Sequence, residues 1–222
     1  MYKFLVVLLL ALPLLSFSQI SMIELESKTV LEPLRRDTAV DNWNFSQPGY
    51  YKLPEEAKQL LYWTNYCRNN PQKFWDSVVI PVLIVFPPLN KSETHSLKAD
   101  LFYAGRLPMF SLNETLIKTA QSHAADICRR KSPLSHTSTD GTDFGTRMKR
   151  AGIKICANEN ISLSSQSVLL SVILLYLDIG LPTLGHRKAL LDRNLLEIGV
   201  GSAEYGKDDQ YFLVQDLACL QK

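Results

Sequence analysis

Ser135-His136-Thr137-Ser138-Thr139-Asp140-Gly141 is the stretch on which the reading of this chain turns, together with Ala157-Asn158-Glu159-Asn160-Ile161 and Gly185-His186-Arg187-Lys188. Two histidines and a carboxylate stand in polar segments marked by Gly141 and Gly185, and apolar helix-like runs separate those segments. That is the sequence pattern of a site carried on loops above a rigid scaffold. His136, Glu159 and His186 are 23 and 27 residues apart, so only the fold can bring them to one cleft.

Helical spacing surrounds the three stretches. Ala57, Leu60, Leu61 and Thr64 follow Pro54-Glu55-Glu56, a good helix start, and that helix is expected to end near Asn70-Pro71. Asn113 can cap a second helix whose apolar stripe is Leu116, Ile117, Ala120, Ala124, Ile127 and Cys128. His123 falls on the same stripe, which makes it a core histidine bonded to a backbone carbonyl rather than a ligand. Thr142 opens a short helix closed by Gly152, and the run from Ser165 to Leu177 is apolar almost all round, as a helix buried on most faces must be. Gly185 to Leu191 can form another short helix. Ile198 to Ser202 and Tyr211 to Leu217 read as a hairpin around Tyr205-Gly206-Lys207-Asp208-Asp209. Val78 to Phe86 is continuously apolar but interrupted by Pro81 and stopped by Pro87-Pro88, so it reads as a buried, kinked connection; Lys91 to Asp100 reads as surface. Helices first and a hairpin last give an α+β fold with helices on an antiparallel sheet.

The ends of the chain bound its setting. Lys3 precedes an apolar run from Phe4 to Leu15 that closes on Ser16-Phe17-Ser18, the form of a secretory signal, with cleavage expected after Ser18. The run is short for a membrane span and nothing downstream matches it, so the protein is not expected to be membrane-embedded. Residues 19–52 then form an N-terminal extension, extended or partly ordered, and the domain occupies 53–222. Loss of the leader removes one Lys and no acid, which takes the formal charge from +2 to +1 and argues against nucleic acid as a partner. Cys67, Cys128, Cys156 and Cys219 suit two disulfides in an oxidising compartment, with four small buried hydrophobes as the alternative. The pairing expected is Cys128 with Cys156, tying the second helix to the acid-bearing segment, and Cys67 with Cys219. No spacing suits a zinc-thiolate site.

The segment from Leu112 to Asp216 resembles the CAP superfamily, the cysteine-rich secretory, antigen 5 and pathogenesis-related proteins with an SCP domain, and most of all its bacterial secreted branch. The resemblance rests on Ala120-x-x-His123-Ala124-x-Asp126, Ser135-His136-Thr137-x-x-x-Asp140-Gly141, Arg147-x-x-x-Ala151-Gly152, Glu159-Asn160-Ile161, Gly185-His186-Arg187 and Ile198-Gly-Val-Gly201 with Val214-Gln215-Asp216. With the opening helix it covers Leu53 to Leu217. It implies a three-layer α-β-α sandwich and a cleft tetrad of two histidines and two acids, His136, Glu159, Asp178 and His186. Asp178 is one methylene shorter than the Glu it would replace.

Converging imidazoles at His136 and His186 would ligate zinc, with Glu159 completing the set or orienting a ring. The same residues could instead form a metal-free polar network. The function expected is therefore a binding module, zinc its candidate cofactor, with an extracellular ligand or protein as partner. The alternatives are lipid or sterol capture, with Val78 to Phe86 lining a cavity, and metal-dependent hydrolysis with Glu159 as base. Ser135 beside His136 lacks the context of a nucleophile.

Overall fold

The computed structural model describes residues 25–221 except 27, 31, 34, 165, 166 and 207–209. The expected signal segment, the cleavage expected after Ser18 and the tip of the expected hairpin lie outside the described residues. The elements in order are α1 (Thr38–Phe45), α2 (Glu55–Asn69), α3 (Pro71–Phe74), α4 (Ile80–Val85), α5 (Ser92–Ala104), β1 (Ser111–Leu112), α6 (Glu114–Arg130), α7 (Phe144–Arg150), β2 (Ala157–Ser164), α8 (Val168–Leu177), α9 (Gly185–Leu191), β3 (Leu195–Glu204) and β4 (Tyr211–Cys219). A π-helical turn, Trp75–Val79, joins α3 to α4.

The sheet order is β1-β3-β4-β2. β4 lies antiparallel between β3 and β2, in register Glu159↔Asp216 on one side and Gly199↔Asp216 on the other. The two-residue edge strand β1 runs parallel to β3, so the expected antiparallel sheet acquires one parallel edge.

Alternation along β4 assigns the two faces. Phe212 and Val214 pack with Ala120, Ala124 and Ile127 of α6, and Ala218 with Leu116. Leu213 and Leu217 point the other way, into the larger core that α2 and α8 share. Burying a ring such as Phe212, which is fully inaccessible, contributes about 2–3 kcal/mol. Gly199 and Gly201 let α6 lie directly on β3. A Cβ at Gly199 would stand 1.9 Å from the Leu116 carbonyl carbon, and one at Gly201 would stand 2.5 Å from that of Ala120. Any side chain there would lift α6 off the sheet. The result is the three-layer α-β-α sandwich, helix on one face and helices on the other.

Three readings of the sequence change. Val78 to Phe86 is helical: Pro81 sits in the first turn of α4, directly after the π-helical turn, and Ile84 is 73% exposed while Val78, Val79, Val82 and Phe86 are buried. Part of the expected N-terminal arm is α1, capped by Asp37, with Val40 and Asn44 buried and Trp43 Nε1 donating to the Phe110 carbonyl at 2.9 Å. Within the expected extension, α1 gave no periodicity signal because it is only eight residues long.

The third change is covalent. The disulfide is Cys156–Cys219, with Cα atoms 5.6 Å apart, whereas Cys67 and Cys128 are free thiols. Cys219 donates its N–H to the Cys156 carbonyl, so the bridge fastens the paired ends of β2 and β4. Cys128 instead lies against the Ala203 carbonyl, beside Phe212 at the far end of β4, seven residues or roughly 23 Å from Cys219. Cys67 is fully buried against Tyr176, and burial pushes its thiol up to about 12. Neither expected pair forms.

Candidate functional site

Glu159 stands on β2, not on a loop as its polar surroundings suggested, and shares a sheet face with Asp216 of β4. His136 arrives from the connection between α6 and α7. Its Nδ1 lies 2.9 Å from Glu159 Oε1, and the Glu159 side chain is 1% exposed against 24% for the ring. Arg147 of α7 completes this corner. Its Nη2 donates to Glu159 Oε2 and its Nη1 to the His136 carbonyl at 2.8 Å. Helix α6 holds the connection from below: His123 Nε2 donates to the Ser135 carbonyl at 2.8 Å, and Asp126 accepts from the Thr139 N–H and hydroxyl, both at 2.7 Å. Ser135 Oγ accepts the Thr137 N–H, a turn role.

The second histidine is paired locally. His186 Nδ1 lies 2.5 Å from Asp178 Oδ1, with the acid 1% and the ring 15% exposed. Asp178 caps the C-terminus of α8 in the left-handed region at φ 51°, a conformation short polar side chains tolerate, and its Oδ2 accepts the Arg187 N–H at 2.9 Å. The Arg187 guanidinium is buried and donates to the Tyr176, Leu177 and Glu93 carbonyls, which locks α8 and α9 onto α5. Helices α8 and α9 both pack against β2, the strand that carries Glu159.

Charge is arranged unequally at the Glu159 corner. Burial alone would raise the Glu159 pKa, but the hydrogen bond with His136 and the charge of Arg147 outweigh it and hold the carboxyl below its ordinary value. Asp216 goes the other way: burial first, then the Glu159 charge, lifts it well above a usual carboxyl. Thr119 donates to Asp216 Oδ2 at 2.5 Å, while Oδ1 has no hydrogen-bond partner, which a protonated acid tolerates better than a carboxylate. These opposed shifts favour the protonated form at Asp216 and the charged form at Glu159. His123 is lowered by burial and stays neutral in the core.

The tetrad proposed from sequence thus resolves into two histidine–acid pairs, His136 with Glu159 and His186 with Asp178. Among the described residues no three His, Cys, Asp or Glu side chains gather closely enough to hold a metal ion together. Arg147 and Asp216 had no role assigned from sequence, although both stood in the quoted motifs. Asp216 carried a signal, an acid beside Leu217 and Ala218 in a mostly apolar strand, where it needs a partner; Arg147, among Thr146, Lys149 and Arg150, carried none.

Residues 104–217 match the family described as the cysteine-rich secretory protein family, CAP. The chain belongs to the CAP family. Solved structures similar to this CAP chain include an extracellular SCP-domain protein from Bacillus anthracis strain Ames, at 23% identity and TM-score 0.40 over 51% of this chain and 35% of that one. The chain thus spans about a third of that protein's length. Another is an outer surface protein from Borrelia burgdorferi, at 18% identity and TM-score 0.42 over 63% of this chain and 92% of that one. No curated protein matches the CAP chain. No helix among its described residues is long and apolar enough to cross a membrane.

Proposed function

We propose that this CAP domain is an exported binding module whose ligand is taken by the Nε2 atoms of His136 and His186. The observation that carries the reading is that each Nδ1 meets a buried carboxylate while each ring is the exposed member of its pair. A ring whose Nδ1–H is held by an acid keeps its lone pair on Nε2, the atom a divalent metal or a ligand proton would meet.

The donor set fits zinc in one way only. Both oxygens of Glu159 are engaged, by His136 and Arg147, and both oxygens of Asp178 by His186 and the Arg187 N–H. The acids therefore orient rings, and two imidazoles with water in the remaining positions form a modest site. Held to Arg147, Glu159 is also a poor proton acceptor, which weighs against hydrolysis with Glu159 as base. Residues 1–18 and the Cys156–Cys219 bridge support export to an oxidising compartment.

Zinc calorimetry on the wild type, His136→Ala and His186→Ala at about pH 7.5 and about pH 5.5 tests the proposal, since protons compete for imidazole lone pairs below neutrality. Binding should be seen in the wild type at the higher pH, fall in both variants and weaken on acidification. Equal heats in all three proteins would remove the histidines from the site.

A further inference from the structure

A second concavity lies away from the histidine pairs, where the end of α2 meets the segment before β1 and the turn after α9. It measures about 290 Å³ and is lined by Asn69, Arg106, Leu107, Pro108, Met109 and Arg193. Its polar wall carries two guanidinium groups and no acid. Arg106 Nε donates to Asn69 Oδ1 at 2.9 Å, and Arg193 Nη2 to the Ala104 carbonyl at 3.0 Å. Each fork is thereby steered by one bond to a neutral acceptor and keeps its other N–H groups for a further partner. Among the described residues neither guanidinium is hydrogen-bonded to a carboxylate.

Behind this wall lies a third, fully buried guanidinium. Arg68 donates only to carbonyls, those of Pro108 at 2.7 Å, Leu190 at 2.9 Å, and Asp192 and Leu195 at 3.0 Å. Pro108, which receives the first of these bonds, is itself part of the pocket lining. Burial lowers the Arg68 pKa to about 10, and the charge of Arg193 pushes the same way. The nearby acid, Asp192, accepts through Oδ1 from the Asn194 N–H and side-chain amide, both within its own turn. Positive charge thus collects at one concave place without a paired anion, while Leu107, Pro108 and Met109 give the rest of the wall an apolar surface. Guanidinium forks recognise carboxylates through paired N–H donors, and a small, partly apolar pocket selects organic ligands.

We propose that this pocket binds a small organic carboxylate, its oxygens between Arg106 and Arg193 and its apolar part against Leu107, Pro108 and Met109. Nothing in this site depends on the histidine pairs.

The test is an NMR titration of the full mature chain with hexanoate at low salt, with hexanol and inorganic phosphate as comparison ligands. Hexanoate should give saturable shifts at the Leu107 and Met109 amides and the Arg106 and Arg193 Nε–H signals. Arg106→Gln and Arg193→Gln, both at exposed positions, should each weaken binding on the order of tenfold with unchanged melting temperature. His136→Ala should bind hexanoate like the wild type, so failure of the zinc proposal and of this one can be told apart. Absence of saturable shifts, equal binding by hexanol, or full affinity in both arginine variants would overturn the proposal. Tighter binding of phosphate than of hexanoate would overturn the organic part and leave a bare oxyanion site.

Discussion

The two histidine–acid pairs look alike in contact but are built by different means. His136 and Glu159 are 23 residues apart, joined across loop and strand, and their corner is held by charge: Arg147 neutralises Glu159, and the Glu159 charge in turn raises the pKa of buried Asp216 beside it. His186 and Asp178 are eight residues apart, and their geometry is set by backbone, a left-handed helix cap and the Arg187 N–H. A pair held by charge is sensitive to losing a counter-ion and to proton uptake, whereas a pair held by backbone is sensitive to turn conformation. The same ring orientation is reached either way.

Removing Arg147 should break the first pair hardest. Arg147→Ala leaves the Glu159 carboxylate buried without its cation, and breaking a buried ion pair from one side costs about 3–5 kcal/mol. Urea unfolding should show a loss of that size, with the His136 NMR signals displaced and those of His186 little changed. Cys219→Ser comes next. The bridge closes a 63-residue separation under β2, so its loss should cost about 2–4 kcal/mol by denaturant unfolding and loosen the Glu159 strand before the α8–α9 turn.

For the second pair, Asp178→Ala removes both acceptors and places alanine in the left-handed region, so a loss of about 2–3 kcal/mol is expected, with Asp178→Asn recovering most of it because Asn tolerates that conformation. Differential scanning calorimetry of the two variants separates backbone fit from charge. Asp216→Asn has the smallest effect at low pH and shows itself only as pH dependence. Asp216 is raised in the folded protein, so its contribution to stability is full below the unfolded value of 3.8 and is lost as pH rises through the folded value. Asparagine, neutral throughout, escapes that loss. The variant's stability relative to wild type should therefore rise from about pH 4 upward, at about 1.4 kcal/mol for each unit by which the folded pKa is raised.

Much of this organisation could be read from the residues, and the parts that could not share a cause. Helix α6 was legible because its stripe, its Asn113 cap and its length all agree, and α8 because an apolar run of that kind has to be buried. Glu159 looked like a loop residue because β2 carries polar groups on both faces: Glu159 toward Asp216, and Asn160 toward Gln215, whose amide reaches Thr64 on α2 at 2.7 Å. Alternation disappears when both faces are polar. The cysteine pairing failed because it depends on which ends of strands meet, and strand register is not written in spacing. Family motifs brought His136, Glu159 and His186 forward as candidates, while Arg147 passed as an ordinary helix cation until its carboxylate partner was placed beside it.

The central claim is that both rings present a bare Nε2 because buried acids hold both Nδ1–H groups. Long-range proton–nitrogen NMR of histidine-labelled protein, at a pH where the imidazoles are neutral, reads the tautomers directly. The account predicts that His136 and His186 both carry the proton on Nδ1, and that Glu159→Gln alters the His136 pattern while leaving that of His186 intact. An Nε2–H tautomer at either ring in the wild type would contradict it.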